Sequence, residues 1–137
     1  MAQDPAGSPR IQRLRSRIPA QTAATTANQA LLVASEDGTV TAASFTPDAA
    51  ITGATATKRT ITLENRGQSG SGSTVIGTLD LVTGVNPAAF AQSVLTLSGT
   101  AANLSVTAGD VLAVKEAVTS TGTANPGGLV EVAITRR

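Results

Sequence analysis

Few of the 137 residues could do chemistry, and their types narrow the choice sharply. The chain has no His, Cys, Trp or Tyr, and its aromatics are Phe45 and Phe90. Imidazole general-base catalysis, thiol chemistry, disulfides and Cys/His zinc sites therefore lack their side chains. So does the stacking of bases or sugars on Trp and Tyr. A Ser or Thr nucleophile would need lysine as its base, and the lysines are Lys58 and Lys115. Lys115 lies in a strand pattern next to Glu116, as an ordinary outward-facing charge does, and Lys58 precedes a strand beside Arg59. Glu36, Asp37, Asp48, Asp80 and Asp110 offer oxygens of the kind calcium takes. Their local spacing matches no Asp-x-Asp-x-Asp-Gly loop, and turn formation accounts for Asp37 and Asp110. Gly67-Gln-Ser-Gly-Ser-Gly-Ser73 lacks the Gly-Lys-Ser/Thr ending and the following helix of a phosphate loop, and reads as a mobile surface loop. No catalytic, cofactor or metal-ligating residue is assigned. The chain does not read as an enzyme.

One charge pattern stands out. The net charge is only +1, yet Arg10, Arg13, Arg15 and Arg17 crowd the N-terminal end while the rest of the chain is slightly acidic. Ile11, Leu14 and Ile18 fit one helical face. Arg13, Arg15 and Arg17 also alternate with Leu14, Ser16 and Ile18 as in a strand, so the period is ambiguous. The segment reads as an arm, extended or weakly helical, that orders against a partner. Phosphate binding would be one use of such arginines, but no aromatic lies beside them and the overall charge is near zero. An acidic protein surface fits better than nucleic acid. The expected partner-binding residues are thus Arg10, Arg13, Arg15 and Arg17 on carboxylates, with Leu14 and Ile18 in apolar pockets. No apolar run approaches the ~20 residues of a membrane-spanning helix, and the first ten residues lack the apolar core of a secretory signal.

The elements that carry these residues fall into two parts. Residues 1–28 are rich in Pro, Ala and Thr and form the basic arm. Residues 29–137 form a domain of short β-type runs separated by turn residues. The strands expected are 30–35, 39–45, 58–64, 74–82, 93–97, 103–106, 111–118 and 129–135. Asp37-Gly38 between two β-prone runs predicts a hairpin, and Asn86-Pro87 predicts one helical turn through Gln92. Hydrophobic residues make up 41% of the chain, but many are Ala, so the core must come from Val, Leu, Ile and the two Phe. Such a domain gains burial by associating. About eight antiparallel strands without a long helix make the class all-β, and loops of uneven length suit a jelly-roll-like sandwich.

Three segments resemble small decoration (cement) proteins of tailed-phage capsids. They are Thr60-Ile-Thr-Leu-Glu-Asn-Arg-Gly67 with its Gly/Ser loop, Ala101-Ala-Asn-Leu-Ser-Val-Thr-Ala-Gly-Asp-Val-Leu112, and Asn125-Pro-Gly-Gly-Leu-Val130. The resemblance covers about residues 45–137. It implies a jelly-roll-like subunit, usually a homotrimer, that clamps the outside of a capsid at three-fold or quasi-three-fold positions. Its partners would be the major capsid protein and itself, with no nucleic acid, membrane or cofactor. Such a protein is made in the host cytoplasm and resides on the capsid exterior. A head-fibre or tail module binding a host receptor or glycan is the alternative, and it would normally want exposed aromatics.

Overall fold

The computed structural model describes residues 10–136. Ten strands follow one another: β1 (Ile11–Ile18), β2 (Ala27–Val33), β3 (Gly38–Pro47), β4 (Arg59–Asn65), β5 (Thr74–Asp80), β6 (Ser93–Val94), β7 (Thr96–Leu97), β8 (Ser105–Val106), β9 (Val111–Val118) and β10 (Gly128–Arg136). Alternation makes them strands: in β4, Ile61 and Leu63 are buried while Thr60 and Thr62 stay half-exposed. One sheet runs β1-β10-β3-β6, with β8 also on β3, and the other runs β2-β9-β4-β5-β7. Every pairing is antiparallel, β1 on β10, β2 on β9, β3 on β6 and β8, β4 on β5. The chain thus folds back on itself, outermost strand on outermost strand, and the ribbon wraps into two facing sheets. This is the double-sheet order of a jelly roll, as the strand pattern leads one to expect. Phe45, Ile61, Leu63, Ile76, Leu112 and Val132, from both sheets, fill the space between with at most 1% of their surface exposed.

Ten strands appear instead of eight for two reasons. Residues 93–97 split between the sheets, with Val94 opposite Ser44 of β3 and Thr96 opposite Thr78 of β5. Leu95 between them is buried and donates its N–H to Ala43 O at 2.9 Å, so this crossing closes one side of the sandwich. The other addition is β1. The stretch expected as an arm that awaits a partner pairs along its whole length with β10, from Ile11 opposite Thr135 to Ile18 opposite Gly128. The strand period prevails over the helical one. Ile18 is 1% exposed and Leu14 packs half-buried on the same core. Fully burying a side chain such as Ile18 stabilises by about 1.5–3 kcal/mol, and half-burying Leu14 by less, so both serve the chain's own core and not a partner's pockets. The boundary expected at residue 28 falls inside β2, and residues 1–9 of the expected arm lie outside the described residues.

Two local expectations also change. Asp37-Gly38 is a corner between sheets, because β2 and β3 belong to different ones. Asp37 accepts the Ala108 N–H at 2.8 Å, and Gly38 lies so close to β10 that a Cβ there would meet Thr135 O at 2.7 Å. Residues 86–92 form no helix. Ile51 N–H donates to Pro87 O and Phe90 N–H to Pro47 O, which draws the segment out against its neighbours. The one short 3-10 helix among the described residues is Ala101–Leu104.

At one end of the sandwich an ion pair is sealed inside. Arg59 and Glu116 are 0% and 2% exposed, with Arg59 Nη1 3.2 Å from Glu116 Oε1. Arg59 also donates from Nε to Thr123 O at 2.6 Å and from Nη2 to Thr22 O at 2.8 Å. Buried Asn125 donates to the same Glu116 oxygen at 2.7 Å, accepts the Gly127 N–H, and exchanges backbone hydrogen bonds with Gln21. The cluster therefore ties β4 and β9 to the two connections, 19–26 and 119–127, that feed β1 and β10. Removing one partner leaves the other charge buried and uncompensated. Glu116→Ala is expected to lower the unfolding free energy by about 3–5 kcal/mol, and Arg59→Met with Glu116→Leu to lower it much less. Equilibrium urea unfolding reads both. Equal losses would move the stabilisation from the ion pair to the carbonyl contacts of Arg59.

Candidate functional site

Because β1 alternates, its charged residues share the outer face of the first sheet. Arg13, Arg15 and Arg17 point outward there, on side chains 56–63% exposed. Arg13 Nη1 lies 3.4 Å from Glu131 Oε1, and Arg15 Nε donates to Glu131 Oε2 at 2.5 Å. Arg17 pairs with Asp48. At the other end of the strand Arg10 and Arg136 flank Glu36, at 4.0 and 3.4 Å. Arginines outnumber carboxylates along this stripe, so the face keeps a positive excess after its own pairs form. The hydrogen bond from Arg15 holds the Glu131 carboxyl below the usual carboxylate range, helped by the charges of Arg15 and Arg13 and opposed by partial desolvation.

Further rows complete the face. Arg15, Glu131, Ser44 and Val94 stand opposite one another across β1, β10, β3 and β6. Arg13 stands opposite Ala133, and Ala133 opposite Ala42. The small side chains leave a shallow hollow of about 50 Å³ between Arg13, Gln92 and Val94. Along the far edge Phe90 and Val94 are 77% and 68% exposed. Phe90 holds φ at 59°, a conformation rare outside glycine and Asn/Asp.

The other candidates are dispersed. Lys58 Nζ lies 3.7 Å from Asp80 Oδ1, and Lys115 is exposed on the outer face of the second sheet. Of the five carboxylates, Glu36 and Asp48 hold the arginines above, and Asp37 takes the Ala108 N–H. Asp80 accepts from the Thr60 hydroxyl, and Asp110 from Asn65 and the Thr107 N–H. Among the described residues no three His, Cys, Asp or Glu gather as metal ligands. The 67–73 loop is tied at several points: Gly67 N–H donates to Asn65 Oδ1, Gly72 N–H to Arg66 O and Val111 N–H to Gly67 O. Beside it Arg66 pairs with Glu64 at 3.1 Å, donates to Asn28 and borders a groove of about 300 Å³.

Sequence reading missed the buried cluster, although a signal was present. Arg59 precedes Ile61 and Leu63 at period two, and Glu116 follows Leu112 and Val114 in the same way. Opposite charges therefore continue two inward faces. Likewise, the arginines of β1 are brought together, but Leu14 and Ile18 are turned away from them into the core.

No family model matches the chain, and no curated protein matches it in sequence. A solved structure with some likeness is a chain from the structure of infectious bursal disease virus Gt strain, at TM-score 0.34 and 13% identity. The alignment covers 100% of this chain and 37% of that one. A likeness so distant carries no functional argument. No helix among the described residues is long and apolar enough to cross a membrane.

The Glu131 pairing has a pH signature. A carboxyl whose folded pKa is depressed contributes stability above its unfolded value and loses it as pH falls through the folded value. Glu131→Gln should therefore be less stable than the parent at about pH 7, by more than it is at about pH 3. Urea unfolding at both pH values measures the difference, and a constant difference would contradict the ionic account.

Proposed function

We propose that this chain is a structural virion protein that binds the outer surface of a tailed-phage capsid and stabilises it, as a homotrimer at three-fold or quasi-three-fold positions. The observation that carries the reading is a jelly roll whose interior is filled, and whose arginine stripe lies flat on an outer sheet face. Jelly rolls serve capsids, lectins and metal-dependent cupins alike, so the fold alone does not choose. The side chains do. An enzyme or lectin of this architecture would keep polar groups converging in a cavity. Here the buried charges Arg59 and Glu116 hold each other and nearby loops instead.

In this reading Arg10, Arg13, Arg15 and Arg17 are the residues that meet the partner. Arg13, Arg15 and Arg17 act from a strand paired along its whole length and Arg10 from the residue before it, which lowers the entropic cost of association. Each exposed ion pair contributes only about 0–1 kcal/mol, and the stripe works by summation. The protein is not an enzyme in this proposal, and needs no cofactor, nucleic acid or membrane.

The test is co-sedimentation with capsids of the cognate phage assembled without this chain. Saturable binding and a higher temperature of capsid disruption are expected. Arg13→Gln with Arg17→Gln should weaken binding several-fold, and more at low salt than at high salt. Capsids that take up no protein would overturn the reading.

A further inference from the structure

Among the described residues β1 is the one outermost strand that is both long and regular. The two sheets end at β1, at β6 and β8, at β2 and at β7. Of these, β6, β7 and β8 are two residues long, and β2 is broken by a bulge between Ala30 and Leu32. Short strands and bulges are devices that stop a sheet from growing. β1 has neither, and runs eight residues against β10 in unbroken register. Its ladder also fixes which backbone groups are left over. Arg136 donates its N–H to Arg10 O at 2.8 Å, and hydrogen-bonded pairs alternate from there. Residues 12, 14, 16 and 18 therefore direct their amides and carbonyls at β10. Those of Ile11, Arg13, Arg15 and Arg17 point out of the sheet, and no strand among the described residues pairs with them.

Three of these four residues are the arginines of the stripe. On one side they stand opposite Ala133, Glu131 and Leu129 of β10, and on the other side lies the open edge. A strand laid antiparallel along that edge sets a residue directly opposite each arginine, with Cβ atoms about 4.5–5.5 Å apart. Opposite charges so placed attract, and like charges repel. A second copy of β1 laid there brings arginine opposite arginine, because Arg13, Arg15 and Arg17 occupy every second position. A strand with Asp or Glu at every second position is the complement. Leu14, on the other face, is only half-buried, so an apolar residue between the acidic ones would cover the rest of it.

We infer that the open edge of β1 takes an added strand from a foreign chain, an extended segment with acidic residues at alternate positions. The first sheet then grows by one antiparallel strand. Main-chain hydrogen bonds at Ile11, Arg13, Arg15 and Arg17 supply affinity, and the guanidinium groups select the acidic sequence. Charge complementarity chooses this occupant over a copy of the chain itself. The inference rests on the acidic partner of the proposed function and deepens it, by assigning the way in which that partner docks.

The probe is the acetylated octapeptide Glu-Val-Glu-Thr-Glu-Val-Glu-Thr, titrated calorimetrically into the full chain at low salt. Saturable binding is expected. In an antiparallel addition the Glu amides face β1, so N-methylation of those amides should weaken binding by about ten-fold or more. N-methylation of the Val and Thr amides, which face away, should change it little. On the protein side, Arg15→Pro removes an N–H that β10 does not use, and proline is tolerated at such edge positions. This variant should unfold close to Arg15→Gln, which loses the same charge, yet bind the peptide more weakly. If it does not fold, the methylated peptides decide alone. A peptide that does not bind, or binding that does not distinguish the two sets of methylated amides, would overturn the inference. Capsid uptake sensitive to Arg13→Gln plus Arg17→Gln would in that case leave the proposed function standing without the edge. Peptide binding with the expected pattern but no capsid uptake would uphold the edge while removing the virion reading.

Discussion

The fold depends on a charge pair that the core has to accommodate. Arg59 and Glu116 extend the inward faces of β4 and β9, at the end of the sandwich where aliphatic packing gives way to loops. Two ions removed from water are tolerable only if nearly every polar atom finds a partner. The partners come from 19–26 and 119–127, through the carbonyls of Thr22 and Thr123 and the amide of Asn125. Satisfying the ions therefore fixes the two connections, and the connections deliver β1 and β10 to the same sheet. The stripe of arginines is tied to this arrangement, since its strand ends at buried Ile18, next to the pinned loop.

Once β1 is a strand, the division of labour among its residues follows from a period of two. Inward positions carry Leu14 and Ile18 into the core, and outward ones carry guanidinium groups to the surface. Intrachain carboxylates hold those groups in place without neutralising them all. At the far edge of the same sheet, past β10 and β3, the chain turns between the sheets at Leu95.

Much of the fold was legible in the sequence because alternation is a local property. The runs 58–64, 111–118 and 129–135 could be read directly, and so could the all-β class. What could not be read was long-range. Asp37-Gly38 looks like a hairpin by itself, and only the pull of Ala108 and β10 makes it a corner between sheets. Residues 11–18 are too short to choose a period unaided, and their pairing with β10 chooses for them. The arginines were singled out from their spacing, whereas the use of Leu14 and Ile18 depended on which neighbour would cover them. Phe90 is expected in the core with Phe45, since nothing local marks a phenylalanine as exposed, and the structure corrects this by leaving it 77% exposed.

The most direct measurement is a cryo-electron microscopy reconstruction of virions that carry this chain. The account predicts subunits seated with the outer face of β1, β10 and β3 against the shell. Subunits whose arginine face looks out to solvent, or virions with no density for the chain, would contradict it.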